Sequence, residues 1–150
     1  LRVRNNMNIQ PFDTIAPIDD WNIFKKEGDQ FLKTAVGAVE KRKKTFNAEA
    51  VYNLTAMAIE KFIMAFLMRQ GDLADNHTML DLLFCMERYL GKQPEVVEKL
   101  KYMDSFQEIC DMENYSVKTP TEQDLDTIIK IGQEIQQLLA PYTLQPDINH

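Results

Sequence analysis

The sequence predicts an all-α fold, an up-and-down bundle of four to five helices, and three observations carry that expectation. Apolar residues recur at three- and four-residue steps through most of the chain, the spacing of a helix with one buried stripe. Helix start and stop residues punctuate those stretches at sensible intervals. No run of four or more residues alternates in the way a half-buried strand requires.

The first helix is expected over 19–44. Trp21, Phe24, Gly28, Phe31, Leu32, Ala35, Val36 and Val39 form its apolar stripe, Asp19 and Asp20 stand where a cap and first-turn acid belong, and Lys41 to Lys44 close it. The second helix starts after Asn47 as its cap and stops before Gly71. It is apolar nearly all round, which places it in the middle of the bundle. Glu60 and Lys61 interrupt it, and ionised groups in hydrocarbon cost about 2.5–3.5 kcal/mol each on insertion scales. A buried core helix is therefore expected there, with no membrane involved.

A third helix is expected from Asn76, as cap, to Leu90, with Gly91 as its stop. Pro94 suits the first position of a fourth helix running through Val97, Leu100, Met103, Phe106, Ile109 and Cys110. Thr119-Pro120-Thr121-Glu122 reads as a capping box with Pro at the first helical position. The last helix follows with Leu125, Ile128, Ile129, Gly132, Ile135, Leu138 and Leu139 on one face, and Pro141 ends it. The expected organisation is an N-terminal extension over 1–18, one bundle over 19–140 and a C-terminal tail over 141–150.

Composition excludes more activities than it suggests. The 150 residues carry 17 Lys and Arg against 23 Asp and Glu, a net charge of −6 that disfavours non-specific grip on duplex nucleic acid. Two Cys and two His cannot build a four-cysteine zinc site, and the Glu-x-x-His pairs of a di-iron bundle are missing, with Ala74 three residues before His77. The five glycines are isolated, so no phosphate-cradling loop exists, and Ser105 and Ser116 lie outside any glycine-flanked elbow. Cys85 and Cys110 sit on apolar faces as small core residues, and free thiols point to the cytoplasm. The first 20 residues lack the apolar run of a signal peptide. Leu1 in place of Met fits either a piece of a longer chain or a natural start at Met7.

Two charge blocks remain. Residues 25–44 hold seven basic and three acidic side chains, and residues 104–126 hold seven acidic side chains and one Lys. They read as solvated faces that attract one another within or between subunits, or, for Lys41 to Lys44, as a phosphate contact. His77, with Asp75 and Asp81 nearby, is the one internal histidine and reads either as a polar first-turn residue or as a base or phosphate contact.

The run from Ala48 to Leu67, with Glu60-Lys61 at its centre, resembles the second helix of HEPN domains. Gly71 followed by His77-Thr78-Met79-Leu80-Asp81-Leu82-Leu83 resembles the family's turn and third-helix start, and Asn114-Tyr115 with Thr119 to Glu122 resembles its closing segment. The resemblance covers about 19–140 and implies a bundle that is commonly dimeric, acting in nucleotide binding or RNA processing, often beside a small nucleotidyltransferase in toxin–antitoxin systems. Many such domains cleave RNA with an Arg and a His four to six residues apart. Here Asn114 stands where that Arg would be, and no His follows until His150. Without that pair the chain lacks a cationic transition-state stabiliser and a general acid/base.

The expectation is therefore a non-catalytic, homodimeric HEPN-like module that binds a nucleotide or a partner protein of the nucleotidyltransferase type, and no cofactor is implied. Glu60, Lys61, His77 and Tyr115 are the candidate ligand-binding residues. One alternative is an endoribonuclease with a displaced Arg69/His77 site, and another is a purely structural interaction protein.

Overall fold

A computed structural model describes residues 19–41, 47–74, 78–107 and 119–144. It contains α1 (Trp21–Glu40), α2 (Ala48–Arg69), α3 (Met79–Leu90), α4 (Pro94–Asp104) and α5 (Glu122–Leu139), followed by a 3₁₀ turn over Ala140–Tyr142. No strand occurs among the described residues, and the all-α bundle follows as expected.

Helix α2 is the hub, touching α1, α3 and α5. Its residues Ile59, Ile63, Ala65, Phe66 and Leu67 are almost wholly buried. By length and hydropathy α2 could cross a membrane, yet 61% of its apolar window is already buried inside the bundle. Helix α1 runs antiparallel to α2, with Trp21 near Arg69 and Gly28 near Phe62. Helix α5 runs in the direction of α2, and Gly132 lies against Thr55 and Leu32. The buried Tyr52 hydroxyl donates to the Met103 carbonyl at 2.6 Å, tying α2 to α4. Phe106, just past α4, packs its ring between those of Tyr52 and Tyr102.

The helix ends show where local reading succeeds and where it slips. Asn47 caps α2 by accepting from the Ala50 amide at 2.7 Å. At the other end, Gly71 takes φ 79° and α2 closes with amides of Gly71 and Asp72 donating to the carbonyls of Met68 and Leu67. That pair of bonds is a Schellman turn, which an L-side chain at position 71 would strain. Pro94 stands at the start of α4, as its fixed φ predicts.

Four boundaries need correction. Asp20 occupies the cap position of α1, but its side chain makes no capping bond, and α1 ends at Glu40. Thr78, not Asn76, caps α3, because its hydroxyl accepts from the Asp81 amide and donates to the Asp81 carboxylate. The capping box of α5 is built by Thr121 and Asp124, two residues later than Thr119 and Glu122, and Pro120 precedes the cap as a buried residue. The α4 helix stops at Asp104, and Ile109 and Cys110 lie outside the described residues.

Two tyrosine hydroxyls give the fold an alkaline limit. Burial pushes the Tyr102 phenol up to about 12, helped by its 2.8 Å bond to Asp124, and burial with the 2.5 Å bond to Asp72 does the same for Tyr89. An unfolded tyrosine titrates near pH ~10. The raised values mean that the folded state holds these protons longer, so their stabilisation is complete below pH ~10 and is lost as pH climbs towards ~12. Ultraviolet titration is expected to show Tyr89 and Tyr102 as late phenols alongside Tyr52, which burial also raises, with denaturant midpoints falling as pH climbs through that window. Tyr89 and Tyr102 titrating normally in the folded protein would refute it.

Candidate functional site

The sequence pointed to Glu60 and Lys61, and the structure places both half-buried on α2, with Lys61 facing α1. The Lys61 ammonium donates to Glu27 of α1 at 3.0 Å and lies 4.1 Å from the Phe24 ring centroid. Glu60 is engaged as well. Lys61 is thus satisfied across the α1–α2 seam by a carboxylate and an aromatic face. A pair this exposed contributes little stability, roughly 0–1 kcal/mol, but it neutralises the cation expected to meet a phosphate. His77 and Tyr115 lie outside the described residues, so of the four candidates only Glu60 and Lys61 are placed.

Arg69, at the last turn of α2, lies with its guanidinium 5.2 Å from the Trp21 ring. Its Nε is buried without a hydrogen-bond partner among the described residues. Cation–π contact supplies part of what the missing bond would.

A second surface, with no motif in the sequence to mark it, begins at that turn. Asp72, the residue that completes the Schellman turn, accepts from the Tyr89 hydroxyl at 2.5 Å and from Arg88 at 3.4 Å. Tyr89 then meets buried Phe66 edge-on at 5.9 Å, and Tyr142 meets the same ring edge-on at 5.6 Å. Both tyrosines remain open to solvent, 44% and 46% exposed, with Leu73 and Leu144 at 50% and 64%. Two separated segments thereby meet on one core ring, since Tyr89 and Tyr142 both touch Phe66, and Asp72 in the turn after α2 holds Tyr89; exposed Leu73 and Leu144 follow Asp72 and Tyr142 in the chain. A sequence signal existed only for Tyr89, on the polar side of an amphipathic helix; Tyr142 lay beyond the proline that ends α5, where periodicity no longer speaks.

Chemically this surface is a rigid apolar patch with a polar handle on each ring, flanked by the exposed Arg88. Among the described residues no group of His, Cys, Asp and Glu could hold a metal ion. Cys85, one turn before Tyr89, is a half-buried free thiol on the edge of the core, as its apolar setting foretold.

The architecture is an all-α bundle, and its likeness to solved structures makes the fold HEPN-like. Two solved structures share it. TT1696 from Thermus thermophilus superposes with a TM-score of 0.67 at 16% identity, covering 82% of this chain and 98% of that one. ST0689, an archaeal HEPN homologue, gives 0.62 at 17% identity, covering 85% and 98%. Identities this low establish a common fold and no more. No family model matches the sequence, and no curated protein does.

Proposed function

We propose that this chain is a non-catalytic HEPN-like binding module that takes a protein partner on the surface formed by Tyr89, Tyr142, Leu73 and Leu144. The observation that carries this reading is the pair of half-exposed tyrosines standing edge-on to buried Phe66. Rings already held by the core lose little conformational freedom on binding, and tyrosine and arginine are the residues that dominate protein interfaces. The HEPN-like fold makes any nucleotidyltransferase encoded beside this gene the first partner to co-express. Co-purification is expected with the wild type and lost with a Tyr89→Ala, Tyr142→Ala double variant whose helical signal is unchanged. Co-purification that survives the double variant would rule out this surface.

Protein is favoured over nucleotide because Lys61 is already paired with Glu27 and Phe24. Calorimetric titration with a panel of nucleotides is expected to show no heat of binding. A heat that disappears in Lys61→Ala would replace the protein partner with a nucleotide.

A second reading, endoribonuclease action through Arg69 and His77, has one observation in its favour: the buried Arg69 Nε makes no hydrogen bond among the described residues. It requires that purified wild-type protein cleave structured RNA and that His77→Ala not do so. Intact RNA after incubation with the wild type disposes of it.

A further inference from the structure

The two tyrosines of the proposed partner surface differ in what their hydroxyls do. The Tyr89 hydroxyl is committed, donating to Asp72 at 2.5 Å, so its ring stands as a fixed apolar wall. The Tyr142 hydroxyl makes no hydrogen bond among the described residues, and this residue is nearly half exposed. Both rings are close to perpendicular to Phe66, at 81° and 85°, with centroids 5.9 and 5.6 Å from its own. They therefore lie within roughly one turn of a polyproline II helix of each other, a turn being about 9 Å. Beside them the Arg88 side chain is 62% exposed, and its single-nitrogen contact with Asp72, at 3.4 Å, leaves the rest of the guanidinium fork open.

A peptide can meet such a surface as a strand, a helix or a polyproline II segment. Strand addition needs a sheet edge, and no strand occurs among the described residues. A helix satisfies its own carbonyls, so its backbone offers the Tyr142 hydroxyl nothing. A polyproline II segment has no internal hydrogen bonds and keeps its carbonyls free to accept. Its proline rings pack on aromatic side chains, and its shape is set before binding, so little entropy is lost. Charge selects further, because a carboxylate next to the prolines would complete the Arg88 fork.

We propose that the partner segment seated on this surface is a proline-rich polyproline II stretch carrying an acidic residue. Its prolines lie across Tyr89 and Tyr142, one of its carbonyls accepts from the Tyr142 hydroxyl, and its acid pairs with Arg88. This inference rests on the tyrosine surface being the partner site and adds the chemistry of what sits there.

Fluorescence anisotropy with labelled synthetic peptides and the full chain tests it. The probes are a proline-rich peptide flanked by glutamate, the same peptide flanked by lysine, and an amphipathic helical peptide of equal length flanked by glutamate. The wild type is expected to bind the glutamate-flanked proline peptide saturably, about tenfold more tightly than either of the others. Tyr142→Phe, which keeps the ring and removes only its hydroxyl, is expected to weaken binding about fivefold, as loss of one hydrogen bond does. Arg88→Glu is expected to reverse the preference between glutamate and lysine flanks. The proposal is overturned if no proline peptide binds, or if the helical peptide binds as tightly. Wild-type affinities in Tyr142→Phe or Arg88→Glu overturn it too. Those failures leave the tyrosine surface standing wherever a co-purified protein partner is still lost with the Tyr89→Ala, Tyr142→Ala variant; a partner retained by that variant removes both readings.

Discussion

Phe66→Ala is expected to cost about 3–5 kcal/mol of folding stability, the range for removing a buried phenylalanine. Phe66 is 1% exposed on the central helix and contacts the rings of both Tyr89 and Tyr142. Truncation therefore leaves a void and releases two aromatic neighbours at once. Edge-to-face pairs of this kind contribute about 0.5–1.5 kcal/mol beyond area burial. Because small domains are only about 5–15 kcal/mol stable, much of the total margin would go. Urea titration should show a large drop in midpoint, and Phe66→Leu, which keeps most of the volume, should lose markedly less. Equal losses for the two variants would mean that the rings are not what matters at this position.

The second large effect concerns glycine. Gly28→Ala and Gly132→Ala each improve helix propensity by about 1 kcal/mol, yet each drives a methyl group into contacts below 3.0 Å. At Gly28 the obstacle is the 4%-exposed Phe62 ring, and at Gly132 it is the Thr55 methyl, pinned because the Thr55 hydroxyl donates to the Val51 carbonyl at 2.9 Å. Overpacking a well-filled core costs about 1–3 kcal/mol, so packing outweighs propensity and both variants should be net destabilised. Gly37→Ala is the control: with no described atom near its Cβ it should gain up to about 1 kcal/mol. Chemical denaturation of the three variants under one condition reads the contrast directly. A uniform gain at all three positions would show that α1, α2 and α5 sit further apart than the structure places them.

These glycines also mark how far the sequence could be read. Gly28 and Gly132 appear within apolar stripes, which says that they face inward; only the packed bundle shows that one meets Phe62 and the other Thr55 and Leu32. Asn47, Gly71 and Pro94 were legible as helix boundaries because capping and φ restriction act within a few residues. The α3 and α5 caps slipped by two residues, since several polar side chains compete for each cap and local sequence does not rank them. The candidate site was less legible still. Lys61 was visible as an anomaly in an apolar helix, but its partner Glu27 lies 34 residues away.

By itself the sequence determined the all-α class, the five helices and the central place of α2, because helical periodicity and end signals are short-range properties of the chain. Tertiary structure alone decided that Lys61 is neutralised, that Tyr89 and Tyr142 share Phe66, and that Gly37 faces open space. Those facts depend on which helix faces meet and at what distance, and no spacing along one helix encodes the position of another.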